Sequence, residues 1–392
     1  MALITEEIIS TLKENGFQVR NDSNLNIIKT TDSSNLDIAK LLNLDHVDLK
    51  GLIFGSNGEI VCTGVKVPSN TDTLDDVESL APLISKMSTA QDGVMARLYH
   101  DGSEFRASTN GMIYPNRGWG PRGCRTFVDL LADFPYDVEL LNKNWCYYVI
   151  MEHQDQTNII KHQCNRLVLT KIVDKHTLAE VDLDMDTVFD GSNPLFTKST
   201  YVTDPEECQT LFSKHLHVKM GDPAPVTEVG LNIFLRDGRV YRLETPQYRA
   251  AAALKPNLAD PRQHWTDLLE PIQSEETMGY DMHRCINTYL QYFPWNSDTF
   301  KHMDELFTNL VCDLLDEYYD IYTYGFNNVS VPSRYVKFHK ELQGTFTNGE
   351  LSAFVLIKYL INRSPKHLYY LLNPDGLGPR DQQVHQDAIM VC

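Results

Sequence analysis

Residues 88–113 read STAQDGVMARLYHDGSEFRASTNGMI. Asp101-Gly102 stands between two alternating segments, which predicts a β-hairpin. Met95, Arg97 and Tyr99 fall on one face of its first strand, and Val94, Ala96 and Leu98 on the other. Ahead of that strand, Ala90-Gln91-Asp92-Gly93 supplies a tight turn. Taken alone, it is an ordinary lead-in to a hairpin.

The same arrangement recurs on both sides. Asn57-Gly58 divides GLIFGSNGEIVCTGVKV (51–67), and Asp237-Gly238 divides LNIFLRDGRVYRLET (231–245). Three hairpins between Lys50 and about Tyr248 imply a largely antiparallel sheet system. Before them, MALITEEIISTLKENG places Ile4, Ile8, Ile9 and Leu12 on one side of a short amphipathic helix. Beyond about Met278 the apolar period lengthens to nearly four. Phe300, Met303, Phe307, Leu310, Val311, Leu314, Leu315 and Tyr318 mark a long helix with Ser297 or Asp298 as its cap. NGELSAFVLIKYLINRSPKHLYYLL (348–372) predicts a second helix ending near Arg363, a stop at Pro365 and a short third helix.

The chain has 392 residues, 42% hydrophobic and 22% charged, enough for two or three domains. The pattern divides it at 1–260, 261–372 and a flexible tail, 373–392. A formal charge of −18 opposes a broad phosphate-binding surface and repels anionic membranes, which makes a protein partner the natural expectation. The dense aromatics of YLQYFPWN and EYYDIYTYGF put that partner on the C-terminal helical domain. Eight cysteines without a Cys-x-x-Cys pair or a signal-peptide run read as reduced thiols of an intracellular, cytoplasmic protein. No apolar run reaches the length of a membrane span.

Read together, the hairpins and their order resemble the adenylyltransferase domain of phage-type RNA ligases, within the covalent nucleotidyltransferase superfamily. Lys50-Gly51 precedes LIFGSNGEIV as an Arg-Gly does in that family, and Ala90-Gln91-Asp92-Gly93 stands where its lysine-x-Asp-Gly nucleophile motif opens a hairpin. CYYVIMEHQ, with Glu152, resembles the family's glutamate-bearing strand, and TNIIKHQCNRLVLTKIVD follows it. EVGLNIF and VYRLETPQY resemble the Glu-Gly and Lys-x-Lys strands. The resemblance implies an α+β fold: an antiparallel-sheet nucleotidyltransferase (ATP-grasp-like ligase) domain followed by a helical C-terminal domain.

It also implies ATP and Mg2+, a covalent lysyl-AMP and RNA ends as substrates. The implied nucleotide ligands are Lys50, Asp92, Arg97, Glu152 and Arg242, and the implied metal ligands Glu152 and Glu228. The departures fall on those positions. Ala90 replaces the nucleophile, Val229-Gly230 stands for Glu-Gly with Glu228 one residue off, and Arg242 and Glu244 stand for the lysine pair. A one-residue slip turns a side chain to the other face of its strand. Reversing a charge about 4 Å from a phosphate is worth several kcal/mol.

The expectation is therefore a pseudoenzyme with a binding or structural role. A virion or assembly role follows by resemblance to proteins of large DNA viruses. The alternative is an active RNA ligase, either an Ala90 variant of a working parent or one using a displaced lysine such as Lys86. Arg97, Arg242 and Lys50 form a small anion pocket on one reading and solvated strand residues on the other.

Three further stretches carry weaker signals. DLDMDTVFDGSN (182–193) spaces its acids like a calcium loop but lacks the glycine and the closing glutamate. His153, His162 and Cys164 offer three metal ligands without a fourth. YPNRGWGPRG (114–123) is a Gly- and Pro-rich loop leading into a helix, with Trp119 as an anchor.

Overall fold

The computed structural model describes residues 3–373 except 23, 32–33, 35–47, 116–124, 135–137, 182–195, 257–259, 272–273, 327–330 and 346–350. The stretch 182–193, most of 114–123, and the tail after Asn373 lie outside the described residues. The chain divides into two compact units. One runs to Arg249 and excludes 221–225; the other is built mainly from Ala250 onward.

The first unit carries fourteen described strands. They are β1 (Gln18–Asp22), β2 (Leu25–Lys29), β3 (Ile53–Gly55), β4 (Ile60–Cys62), β5 (Ser69–Asn70), β6 (Ile84–Thr89) and β7 (Val94–His100), followed by β8 (Phe105–Ser108), β9 (Trp145–Glu152), β10 (Arg166–Asp174), β11 (Thr197–Lys198), β12 (Tyr201–Val202), β13 (Gly230–Leu235) and β14 (Val240–Glu244). Its helices are α1 (Glu6–Glu14), α2 (Phe127–Leu131) and α3 (Pro205–Leu216), and α4 (Pro246–Leu254) runs across the division. All three expected hairpins form: β3–β4, β7–β8 and β13–β14 are antiparallel neighbours.

The strands make three sheets, ordered β1-β2-β3-β4, β11-β10-β9-β7-β8 and β12-β6-β13-β14-β5. Pairing is antiparallel except where the two-residue strands β11 and β5 join β10 and β14. Strand alternation sets the layers. In the first sheet Ile28 and Phe54 turn to α1, where they pack with Leu12, while Leu25, Ile27 and Ile53 turn to the second sheet and meet Tyr99, Cys146 and Tyr148. In the third sheet Met87, Leu231, Ile233, Leu235, Tyr241 and Leu243 pack on Cys208 and Phe212 of α3. Helix α3 breaks the strand pattern expected up to Tyr248. Asp204 caps it, accepting the N–H groups of Glu206 and Glu207, and Pro205 opens it.

The second unit is helical: α5 (Pro261–Asp267), α6 (Met278–Tyr292), α7 (Ser297–Tyr318), α8 (Ser333–Thr345), α9 (Ala353–Ile361) and α10 (Pro365–Leu372). The long helix begins at Ser297 itself, so its cap position is Asn296, one residue before the cap expected from sequence. All of its expected apolar stripe is buried except Leu315, which is half-buried. Pro365 starts α10, behind a Ser364 cap. Trp265, fully buried, donates its indole N–H to Asp304 at 2.9 Å, and Tyr289 stacks on Phe300 with ring centroids 5.0 Å apart. Among the described residues no helix is long and apolar enough to cross a membrane.

Candidate functional site

The second and third sheets of the first unit face each other across a cleft of about 440 Å³. The third sheet gives it Lys86 and Ser88 from β6, Asn232 and Phe234 from β13, and Val240 and Arg242 from β14. These are the positions that alternate with the residues packed on α3. The second sheet contributes Met95, Tyr148, Ile150, Thr170 and Lys171. Lys66, Arg239, Asp48 and Glu180 complete the charged lining.

Much of that charge is matched inside the protein. Lys86 lies 3.7 Å from Glu180 and 4.5 Å from the centroid of the Tyr201 ring, and Lys171 lies 3.8 Å from Asp48. Lys66 donates to the Gly238 carbonyl, and Arg239 pairs with Asp237 at 2.7 Å. Arg242 makes a long contact, 3.4 Å, with the Asn232 side chain. Burial pushes the Asp48 carboxyl up, and Lys171 and Lys66 oppose that shift.

Ala90 follows β6, and its N–H donates to the Gly230 carbonyl at 2.8 Å. It is buried, and its two chain neighbours, Thr89 and Gln91, line the cleft. Asp92 is 4% exposed, and its carboxylate accepts four donors: the Asn158 amide at 2.7 Å, the Ile159 N–H at 2.8 Å, the Ile160 N–H at 2.6 Å and the Tyr248 hydroxyl at 2.9 Å. Burial first, and then the Asp92 charge, push the Tyr248 phenol up. Gly93 is required by close approach, since a Cβ there would lie 2.5 Å from the Met151 carbonyl oxygen. Gly230, at φ 135°, lies opposite Glu244, and a Cβ there would lie 2.0 Å from the Leu243 carbonyl oxygen. Burial, opposed by Arg242, pushes the Glu244 carboxyl up.

The other implied ligands are dispersed. Arg97 is fully buried, and its guanidinium donates to three backbone carbonyls: Gly51, Thr63 at 3.1 Å and Thr109 at 2.7 Å. Lys50 is half-buried, and its carbonyl accepts the Val65 N–H at 2.9 Å. Glu152, at the end of β9, is 1% exposed and held by Arg166 Nε at 2.7 Å, with His162 Nδ1 at 3.7 Å. Glu228 is exposed and bonds His215 Nε2 at 2.7 Å. The structure gives the two carboxylates different partners, Arg166 and His162 for Glu152 and His215 for Glu228.

His153, His162 and Cys164 likewise part company. His153 bonds Asp133 at 3.0 Å, His162 turns to Glu152, and Cys164 is exposed. Among the described residues the group with metal-ligand spacing is Asp133, His153 and Asp155. Arg125 already bridges its two carboxylates, at 2.5 Å and 3.5 Å.

No family model matches the sequence, and no curated protein matches it. Among solved structures the chain is similar to an archaeal ATP-dependent RNA ligase, at 10% identity and a TM-score of 0.44, over 76% of this chain and 74% of that one. It is also similar to Naegleria gruberi RNA ligase mutants. One, with AMP and Mn, has 13% identity and a TM-score of 0.35 over 55% of this chain and 67% of that one. Another, with ATP and Mn, has 12% identity and a TM-score of 0.33 over 56% and 68%. These solved neighbours are RNA ligases.

Of the implied ligands, Arg242 lines the cleft. The sequence reading missed Lys66, Lys171, Arg239, Asp48 and Glu180. A signal was available for some of them: Lys171 sits on β10 at a register position beside Tyr148 of β9, which an antiparallel pairing of the quoted strands would have brought to one face.

Proposed function

We propose that this protein is a ligase-like pseudoenzyme. It binds the phosphates of a nucleotide non-covalently in the cleft between its second and third sheets and forms no lysyl-AMP. The observation that carries the reading is Ala90: just past β6, between the cleft-lining Thr89 and Gln91, where the resemblance implies a nucleophilic amine, stands a buried methyl group. No phosphorus–nitrogen bond can form there.

Lys86 does not take its place. It lies four residues back along the strand, about 13 Å away at the usual rise per residue, and is held by Glu180 and the Tyr201 ring. Lys86, Lys171 and Arg242 supply the positive lining that phosphate oxygens require. Arg97 and Asp92 act within the fold on this reading, because both are buried, with the Arg97 Nη atoms held by backbone carbonyls and the Asp92 carboxylate by internal donors. The expected protein partner goes with Tyr324 and Phe326, 65% and 57% exposed in the helical unit.

Incubation with α-labelled ATP and magnesium is the test. The expected outcome is reversible binding, seen by calorimetry, with no covalent label on the natural chain or on Ala90→Lys. A hydroxylamine-sensitive nucleotide adduct on the natural chain would overturn the reading. Its loss in Lys86→Met would then favour the active ligase with a displaced lysine.

A further inference from the structure

Five basic side chains line the cleft between the second and third sheets: Lys66, Lys86, Lys171, Arg239 and Arg242. Three of them face a carboxylate. Lys86 lies 3.7 Å from Glu180, Lys171 lies 3.8 Å from Asp48, and Arg239 lies 2.7 Å from Asp237. The other two have neutral partners: Lys66 donates to the Gly238 carbonyl, and Arg242 Nε makes its 3.4 Å contact with the Asn232 side chain. The unbalanced charge of the lining is therefore that of Lys66 and Arg242.

Glu180 and Asp48 are set in place by their own backbone. Past the turn at Asp174 the chain runs back along β10: the Asp174 N–H donates to the Ala179 carbonyl at 3.0 Å, the Val181 N–H donates to the Ile172 carbonyl at 2.9 Å, and Glu180 bridges to Val173. The Asp48 carbonyl accepts the Gly64 N–H at 2.7 Å, and a Cβ on Gly64 would lie 2.1 Å from that oxygen, so glycine is what lets the two segments meet. At 3.7 Å and 3.8 Å both carboxylates stand beyond hydrogen-bond range of their lysines. They balance the lysine charges and leave the ammonium N–H donors open to a ligand.

That combination favours an anion of low charge. A phosphate monoester carries about two negative charges near neutral pH, which Lys66 and Arg242 match. Each further phosphate adds charge with no free cation to meet it, beside two carboxylates that repel it. Glu244 stands on the same face of β14 as Arg242, outside the lining, where the Arg242 charge opposes the rise of its carboxyl; it too works against a polyphosphate.

We propose that Glu180 and Asp48 are counter-anions built into the cleft, and that they fit it to a single phosphate group, and so to a nucleoside monophosphate, against a polyphosphate such as ATP. The inference rests on the reading of this cleft as a nucleotide-phosphate site and names the class of nucleotide it selects.

The test is calorimetry on the full chain at constant ionic strength without divalent metal, which would mask polyphosphate charge. The probes are AMP and ATP, then inorganic phosphate and tripolyphosphate. The natural chain should bind ATP no more than about threefold tighter than AMP. The double variant Glu180→Gln, Asp48→Asn should tighten ATP about tenfold and AMP by less. A natural chain that prefers ATP about tenfold or more overturns the proposal, as does a double variant with the natural ratio of ATP to AMP affinity. The inorganic anions separate this outcome from failure of the nucleotide reading. If phosphate and tripolyphosphate follow the expected pattern while neither nucleotide binds, the counter-anion role stands and the nucleotide reading falls; if none of the four probes binds either chain, both fall. Should the double variant fail to fold, the ratio on the natural chain still decides.

Discussion

The two faces of the sheet β12-β6-β13-β14-β5 come from the same strands, alternate residue by alternate residue. One face, with Met87, Leu231, Ile233 and Leu243, is closed by α3 and is apolar. The other, with Lys86, Ser88, Asn232 and Arg242, borders open volume and is held by contacts to residues far along the chain, Glu180 among them. The packed face is specified by the strand's own period. The cleft face is specified by what lies across from it.

Substitutions that probe the two faces should separate sharply. Ile233→Ala, which removes a fully buried side chain from the packed face, should cost about 2–5 kcal/mol, read as a fall in denaturant midpoint. Phe234→Ala, its half-buried neighbour on the cleft face, should cost clearly less; equal losses would mean that the cleft face is itself a packed core. Asp92→Asn, in the turn between β6 and β7, puts an amide NH2 among four donors and should cost about 2–3 kcal/mol by the same measurement.

Smaller effects belong to the cleft charges. Lys86→Met should change stability by less than about 1 kcal/mol, because its ion pair is part-exposed, yet weaken nucleotide binding about tenfold, measured by calorimetry. The smallest effect is one of pH. Burial raises the folded pKa of Asp48, so the native state holds its proton more tightly than the unfolded chain. That contribution is fully present below the ordinary Asp value of about 3.9 and is lost as pH rises through the folded value. Asp48→Asn should flatten this segment of the stability–pH curve. Ile233→Ala should leave its slope unchanged, since no carboxylate belongs to the described core of the packed face.

Much of the fold was legible because its signals are local. Asn57-Gly58, Asp101-Gly102 and Asp237-Gly238 fix their hairpins within a few residues, and the stripe from Phe300 to Tyr318 needs no knowledge of the rest of the chain. Helix α3 was missed because its apolar positions are few: Cys208 and Phe212 alone are buried, and its stability rests on the Asp204 cap and on packing against β6 and β13. The site was far less legible. Arg97 has the residue type and strand position of an anion ligand, but its guanidinium reaches Gly51, Thr63 and Thr109, contacts set by other strands. Lys171 and Asp48 meet only because two sheet layers bring them together.

Asp92 knots three pieces of chain: the turn before β7, the segment at Asn158–Ile160, and Tyr248 of α4. Assembly of the domain is by itself sufficient reason for an acid there, whatever reaction the neighbouring residue does or does not perform. An Asp-Gly pair at such a bend is a keystone of architecture first, and its presence alone is no measure of the chemistry beside it.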